Sequence, residues 1–219
     1  MTREFYFPYL LDYSHLVVED VVVFAIAVLV AIVVSAEGQA FASTFLGDSR
    51  PGAKDRFHFN VFLHMSILGT LNFFVAGFGW AKKIDIDVTK FKKHPRLYLV
   101  ISRLAGPVAN LMMANIAASM SWILGNFGFE DKVFSAMVVV NVTMAIYGLL
   151  LVPPLPGSAL LFSIFPDNET FRKGRELLCK VGPSLILVAF ICIRYSGWDG
   201  LSNLFSPVVQ TVTTFVLDI

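Results

Sequence analysis

The chain has 219 residues, of which 56% are hydrophobic and 15% are charged, and its mean hydropathy is +0.71. A soluble domain of this length needs far less apolar surface to build one core, so the composition excludes a soluble enzyme and indicates an integral membrane protein. The formal net charge of +1 leaves no surplus of basic residues for phosphate contacts, which excludes nucleic acid as an expected partner.

Apolar runs bounded by charged residues predict about five membrane-spanning helices. They cover residues 21–34, 61–80, 97–124, 133–152 and 177–193. The tail, residues 201–219, contains Pro207 and is expected to lie in the membrane interface or to insert only halfway. The sequence therefore predicts an all-α polytopic membrane protein. We expect a single integral membrane domain over residues 1–219, with a core over roughly 20–160 and a C-terminal helix and interfacial tail over 177–219.

Two basic connections set the expected orientation in the membrane. Residues 81–96 hold six Lys or Arg and two Asp, and residues 166–180 hold four Lys or Arg. The positive-inside rule places both connections in the cytoplasm, and with them the N-terminus. We expect the first span to be retained and not removed as a signal peptide. Alternating apolar and charged residues over 83–88 predict a short extended or re-entrant segment at the membrane surface.

Polar side chains at membrane depth are costly and are the first candidates for function. Glu37 is the strongest candidate. Gln39 is close by in the sequence, and small residues lie on both sides of Glu37. Small neighbours would let another helix approach Glu37 closely. Alternatively, Glu37 caps or anchors its helix near the membrane interface, and the sequence leaves both interpretations open.

Two stretches further along the chain carry a family resemblance. Residues 105–110 read A-G-P-V-A-N, and residues 148–157 read G-L-L-L-V-P-P-L-P-G. They resemble the A-G-P-x-A-N and N-L-L-P-x-P-P-L-D-G elements of the site-2 protease family of intramembrane zinc metalloproteases. Residues 64–70 and 78–87 resemble the segments that follow the catalytic helix of that family. The resemblance covers residues 37–157 in the family order and implies a site-2-protease-like core.

The same resemblance points to a zinc site whose ligands are replaced. Such an enzyme binds zinc through H-E-x-x-H and the Asp of its L-D-G element, and the Glu activates a zinc-bound water. Glu37 matches that Glu, but Ala36, Ala40 and Pro156 stand at the three ligand positions and have no lone pair to offer. The resemblance therefore implies the fold with a vestigial Glu37, no catalytic residue, no metal and no other cofactor.

Other polar or helix-breaking residues complete the candidate binding site. His64 is expected to be a hydrogen-bonded interior histidine, and Asn110 to satisfy a backbone group or bond across helices. Arg103 is expected to extend to the cytoplasmic interface, and Gly106-Pro107 to interrupt the third span. Pro153 and Pro154 are expected to break the fourth helix beside a cleft. The candidate binding residues are Glu37, Gln39, His64, Asn110, Pro153 and Pro154.

These features favour a catalytically inactive site-2-protease-like protein that acts as a binding or scaffold subunit of a membrane complex. Its expected partners are membrane lipid and other membrane-protein subunits, and the resemblance suggests a bacterial or archaeal inner membrane. Two alternatives stay open. One is an active intramembrane metalloprotease with a non-standard zinc site that uses His58 or His64, and the other is a subunit with a proton or ion path through Glu37.

Overall fold

The structure is a computed structural model that describes residues 11, 16–50, 56–165, 168–197 and 200–217. The predicted cytoplasmic stretch at residues 1–14 lies outside these residues, except for Leu11. The described chain forms eight α-helices: α1 (Val18–Phe45), α2 (Val61–His64), α3 (Ile67–Ala76), α4 (Pro95–Asn126), α5 (Val133–Gly148), α6 (Ser158–Ile164), α7 (Glu169–Ser196) and α8 (Gly200–Leu217).

The all-α membrane fold predicted from the sequence is confirmed. In the described residues, α1, α4 and residues 169–193 of α7 are long and apolar enough to cross a membrane. Shorter apolar helices cover residues 67–76, 133–148 and 204–217. The predicted extended segment over 83–88 has no regular structure until a 3-10 turn begins at Val88, and the described residues contain no strand beyond an isolated antiparallel bridge between Met65 and Ala81.

The second predicted span is not one helix. Residues 61–80 form α2 and α3, which are separated by Met65 and Ser66 in extended conformation. The Ser66 hydroxyl accepts a hydrogen bond from the Gly69 N–H at 3.2 Å and starts α3, and Gly77 ends it in the left-handed region with φ of 74°. A helix of this length extends only about 15 Å, half the hydrocarbon thickness of a bilayer.

Two helix boundaries also differ from the sequence prediction. α7 begins at Glu169, where the Asn168 side chain accepts a hydrogen bond from the Phe171 N–H, so the basic residues before residue 180 lie on a helix and not in a loop. α4 continues through Pro107 without a break. Ala105, Gly106 and Ala109, on both sides of the proline, pack closely against α1.

The core is formed mainly by α1, α4 and α5, which pack against one another. Valines of α5 fill the centre of this core, and Val138, Val140 and Val142 are all almost fully buried. α8 packs on α5, where the Phe205 ring lies 5.2 Å from the ring of Tyr147. The same Tyr147 ring stacks on Phe78 at 4.2 Å, so the segment after α3 is anchored to α5.

Candidate functional site

The face of α1 around Glu37 packs very closely on the A-G-P-V-A-N stretch of α4. A Cβ atom at Gly38 would lie 2.6 Å from the Ala109 Cβ, and a Cβ atom at Gly106 would lie 2.8 Å from the Ser35 hydroxyl. These distances are too short for any side chain larger than hydrogen. Glycine is therefore required on both helices, and the small-residue interface predicted near Glu37 is present.

The two positions that match the histidines of H-E-x-x-H lie in a buried apolar cluster. Ala36 and Ala40 are fully buried and pack with Ile84, which is 1% exposed. Ile84 belongs to the extended segment that follows α3, and Ala81 and Ile86 from the same segment pack around the cluster. The Ile84 side chain thus covers this face of α1, and neither alanine has a side-chain atom that could bind a metal ion.

The Glu37 carboxylate is bound by the chain segment that follows α1. Its Oε2 accepts a hydrogen bond from the Phe57 N–H at 2.7 Å. Its Oε1 accepts from the N–H groups of His58 at 2.9 Å and Phe59 at 3.1 Å. The His64 Nε2 lies 3.0 Å from the same oxygen. Consecutive N–H groups that converge on one anion form a backbone nest, so Glu37 is the anion of an internal nest.

The nest requires unusual backbone angles at two aromatic residues. Phe57 has φ of 57° and Phe59 has φ of 49°, both in the left-handed region. For residues other than glycine this conformation costs roughly 1 kcal/mol or more each. Both side chains are exposed, so burial of the phenyl rings does not offset the cost. The bonds to Glu37 are the contacts that hold these residues in place, and Glu37 therefore anchors the segment instead of capping α1.

The interior hydrogen bond expected for His64 is present, since the side chain is fully buried and bonds Glu37. Gln39 is also buried, and its Oε1 accepts a hydrogen bond from the Arg103 Nη1 at 2.9 Å. The Arg103 Nη2 donates to the Ile84 carbonyl at 2.8 Å. The prediction that Arg103 extends to the interface is therefore wrong, because the residue is only 8% exposed and its guanidinium joins α4 to α1 and to the extended segment.

A second buried carboxylate, Asp48, was not singled out by the sequence analysis. Its Oδ2 accepts from the Arg56 Nη2 at 2.6 Å, and its Oδ1 accepts from the Arg50 Nε at 2.7 Å. The Asp87 N–H donates to the Oδ2 at 2.8 Å. Arg56 also donates to the Asp85 carbonyl at 2.7 Å. This network joins the end of α1 to the start of the nest segment and to the extended segment.

The network controls the charge of Asp48. Burial alone would raise the pKa of Asp48, but the hydrogen bonds from Arg50, the Asp87 N–H and Arg56, with the charge of Arg56, outweigh burial and lower the pKa from 3.8 to about 2. The hydrogen bonds from Arg50 to Asp48 and to Asp85, with the charges of these two carboxylates, raise the pKa of Arg50 above its ordinary value. Asp48 therefore carries its negative charge throughout the physiological pH range.

The remaining candidate residues lie on α4 and on the turn after α5. Asn110 is fully buried, and neither its Nδ2 nor its Oδ1 bonds any described residue, contrary to the bond expected for it. Pro153 and Pro154 follow the end of α5 as predicted, and the helix stops at Gly148. The Pro153 carbonyl contacts α7 at Gly182 so closely that no Cβ fits there. The turn is thus held between helices, as irregular backbone in a membrane requires.

The donor set does not fit the zinc ion that active site-2 proteases bind. Glu37 and His64 are in contact, but no group of three His, Cys, Asp or Glu side chains comes together in the described part of the chain. His58 contacts Glu37 through its backbone N–H, and the residue is exposed. Pro156 lies beside Pro107 and Gly148 and brings no ligand atom. Zinc needs at least three protein ligands, which the described residues around Glu37 do not supply.

Comparison with known proteins gives one informative match. No protein-family model matches the chain, and no solved structure matches it. The chain is similar to a Bacillus subtilis protein named "Putative zinc metalloprotease YwhC", with 31% identity over 203 residues that cover 84% of this chain and 91% of the relative. This match agrees with the resemblance to site-2 proteases in pointing to a metalloprotease-like chain. The chain therefore belongs to the same family as the Bacillus subtilis protein named "Putative zinc metalloprotease YwhC".

Proposed function

We propose that the protein is a catalytically inactive member of this metalloprotease family that acts as a binding or scaffold subunit of a membrane complex. The observation that carries the proposal is the apolar cluster of Ala36, Ala40 and Ile84 at the positions that match two zinc ligands. A hydrolytic water needs a metal or another strong activator beside the general base. An isoleucine packed against two alanines supplies neither.

The state of Glu37 supports the same proposal. A general base needs a carboxylate lone pair that points at the reacting water, and hydrogen bonds from the protein compete for those lone pairs. Both oxygens of Glu37 accept hydrogen bonds from the segment over residues 57–59, and Oε1 also contacts His64. In the proposed role this carboxylate organises residues 57–59, and the exposed side chains of Phe57 and Phe59, with that of Phe62 on α2, contact a lipid or protein neighbour.

We place the protein in a bacterial inner membrane with its basic segments in the cytoplasm. The support is the excess of Lys and Arg in residues 81–96, the apolar helices and the bacterial relative. The surface available to a partner subunit includes the apolar side chains of α4 that point away from the core. They are Val108, Met112, Ile116 and Trp122, and each is at least half exposed.

The metal content of the purified protein tests the proposal. The full chain is extracted in mild detergent, loosely bound ions are removed, and zinc is measured per chain by elemental analysis. We expect less than one tenth of an equivalent, on the order of contamination, because fewer than three ligands are present. In the same preparation, mass spectrometry of co-purified proteins should show a membrane partner at constant ratio. A protein that is strictly monomeric and free of partners would contradict the scaffold role.

The contact between Glu37 and His64 favours one competing function, a metalloprotease with a non-standard zinc site. That function predicts one tightly bound zinc per chain. It also predicts that Glu37→Gln abolishes cleavage of membrane substrates while the fold is retained. Glu130→Gln is the matched control, since Glu130 is an exposed carboxylate in the connection between α4 and α5. Stoichiometric zinc together with cleavage that depends on Glu37 would overturn the proposal of an inactive protein.

A further inference from the structure

One face of α4 carries a polar side chain deep within a membrane span. No charged residue lies between Arg103 and Glu130 in the sequence, and Asn115 is close to the middle of this stretch. From Arg103 to Asn115 the helix rises roughly 18 Å, more than half of the ~30 Å hydrocarbon core of a bilayer. Asn115 is exposed, so in a membrane its side chain faces lipid or another protein.

The Asn115 amide has hydrogen-bonding capacity that the described part of the chain does not use. Its Nδ2 donates to the Leu111 carbonyl at 2.8 Å, one turn earlier on the same helix. A carboxamide has two N–H donors and an acceptor oxygen, so one N–H and the Oδ1 have no hydrogen bond to the described residues. The tails of lipids offer no hydrogen bond. An amide at this depth therefore favours a neighbouring helix that supplies one.

The side chains around Asn115 repeat at the spacing by which two helices pack along each other. Alternating steps of four and three residues relate Val108, Met112, Asn115, Ser119 and Trp122, which we name the α4 seam. This heptad spacing is typical of helices that cross at a shallow angle. All five residues are exposed, and the three apolar ones are each more than half exposed. The buried residues of α4 lie on the opposite side of the helix, where α1 and α5 pack.

We propose that the α4 seam is the interface of a homodimer in which the Asn115 amides of the two copies are hydrogen-bonded to each other. Copies of one chain have the same orientation in the membrane, so the axis of a closed two-fold pair runs along the membrane normal. The two α4 helices are then parallel and at equal depth, and each Asn115 faces its counterpart. An amide is self-complementary because it is both donor and acceptor.

The self-complementary amide favours a second copy over an unrelated partner. A different protein would need a polar side chain at the same depth on a helix of matching spacing, whereas a second copy supplies both. The exposed Ser119 hydroxyl, which donates to the Asn115 carbonyl at 3.0 Å, keeps a lone pair that can accept a hydrogen bond across the same interface. Val108, Met112 and Trp122 supply the apolar contacts above and below the polar pair.

Disulfide cross-linking in the membranes of cells that express the full chain tests the α4 seam. The native cysteines, Cys179 and Cys192, are first replaced by alanine, and Ser119→Cys or Met120→Cys is then introduced. Met120 is the matched control, because it is exposed at the same depth but points about 100° away around the helix. After mild oxidation, Ser119→Cys should shift from 24.2 kDa to twice that mass, and Met120→Cys should not.

Equal cross-linking at residues 119 and 120 would overturn the proposal. A cross-link from Ser119→Cys to a different protein, with none between two copies, would also overturn it and would assign the α4 seam to another subunit.

The strength of association tests the role of the amide. Full chains labelled with donor and acceptor dyes are reconstituted in vesicles of phosphatidylethanolamine and phosphatidylglycerol, and energy transfer is measured against the protein-to-lipid ratio. Asn115→Leu should weaken dimerisation roughly 5- to 30-fold, which corresponds to about 1 to 2 kcal/mol for the lost interhelical hydrogen bonding. Asn115→Gln keeps the donor and the acceptor and should dimerise more tightly than Asn115→Leu.

Gln210→Leu is the control for the amide, since it removes an exposed amide from α8 instead of α4. It should leave the affinity within about two-fold of the wild-type value. Wild-type affinity in Asn115→Leu would overturn the proposal, and so would an equal loss in Gln210→Leu.

The dimer deepens the proposed function and rests on it in one respect, since it names a second copy as the partner on the exposed surface of α4. The two proposals fail separately. A zinc-free protein without the cross-link at Ser119→Cys would refute the dimer and leave the inactive role intact. A protein with stoichiometric zinc and that cross-link would refute the inactive role and leave the dimer intact.

Discussion

Two buried carboxylates near the end of α1 are held in opposite ways. Asp48 is fully buried and bound by two guanidinium groups and one backbone N–H. Glu37 is 7% exposed and bound by three backbone N–H groups and one imidazole. The negative charge of Asp48 is neutralised mainly by the positive charges of two arginines. The negative charge of Glu37 is stabilised mainly by the dipoles of backbone N–H groups.

This difference indicates that the fold depends on the negative charge of Asp48 more than on that of Glu37. The Asp48 network connects α1, Arg56 and the segment around Asp85, so its loss would separate three parts of the chain and leave Arg56 buried without its counter-ion. Glu37 organises only the few residues whose N–H groups reach it. Glu37, which the family resemblance marks for catalysis, thus anchors only the backbone next to it. Asp48, which lies outside every motif, joins several segments of the chain.

The largest expected effect comes from removal of the Asp48 charge. Asp48→Asn removes the anionic partner that Arg56, whose side chain is only 4% exposed, has among the described residues. Breaking a buried pair in this way costs about 3 to 5 kcal/mol, so we expect a large drop in the free energy of unfolding and in the yield of folded protein. Reversible unfolding in detergent, followed by circular dichroism, measures this change.

Arg50, which is more exposed than Arg56, supplies the control. The Arg50 side chain is 29% exposed, and ion pairs with solvent access contribute roughly 0 to 1 kcal/mol. Arg50→Gln should therefore reduce the free energy of unfolding far less than Asp48→Asn. Equal effects of the two substitutions would show that the stabilisation does not come from the buried pair of Asp48 and Arg56.

The second-largest expected effect is the pH dependence of the contribution of Asp48 to the free energy of unfolding. The pKa of Asp48 in the folded protein, about 2, lies below its ordinary value of 3.8. Its contribution to stability is therefore complete above pH 3.8 and is lost as the pH falls through about 2. The difference between the two pKa values corresponds to about 2 kcal/mol. The gap in melting temperature between wild type and Asp48→Asn should narrow between pH 4 and pH 2, and a constant gap would contradict the assignment.

The sequence predicted those features that depend on composition and local pattern. Long apolar runs between charges predicted the spans that became α1 and α4, and glycine and alanine around Glu37 predicted the close approach of another helix. The four-residue spacing of Ala36 and Ala40 places them on one helical face, which the structure confirms. These predictions succeed because they require only the helical period and the polarity of each residue.

Long-range polar contacts could not be predicted in this way. Asp48 and Asp87 are 39 residues apart, and Arg103 and Gln39 are 64 apart. A buried arginine and one that extends to the interface have the same local sequence signal, so the prediction for Arg103 was wrong. The division of residues 61–80 into two helices depends on Ser66, a helix N-cap that lies within an apolar run.

The smallest effect tests the nest itself. Glu37→Gln keeps the side-chain shape, but one of its two acceptor oxygens becomes an NH₂ group. If the amide oxygen stays near His58 and Phe59, the new NH₂ group faces the Phe57 N–H, a donor opposite a donor. An unsatisfied buried donor costs about 1 to 3 kcal/mol, and we expect the lower part of this range because the segment can relax into solvent.

Amide hydrogen exchange separates this local effect from a global one. In Glu37→Gln, the amides of Phe57, His58 and Phe59 should lose protection, whereas amides of α5 should keep theirs. Glu130→Gln, which changes an exposed carboxylate between α4 and α5, should change neither region. Unchanged protection at residues 57–59 would show that the segment is held by other contacts. Loss of protection throughout α5 would show instead that Glu37, like Asp48, supports the whole fold, and the contrast between the two carboxylates would disappear.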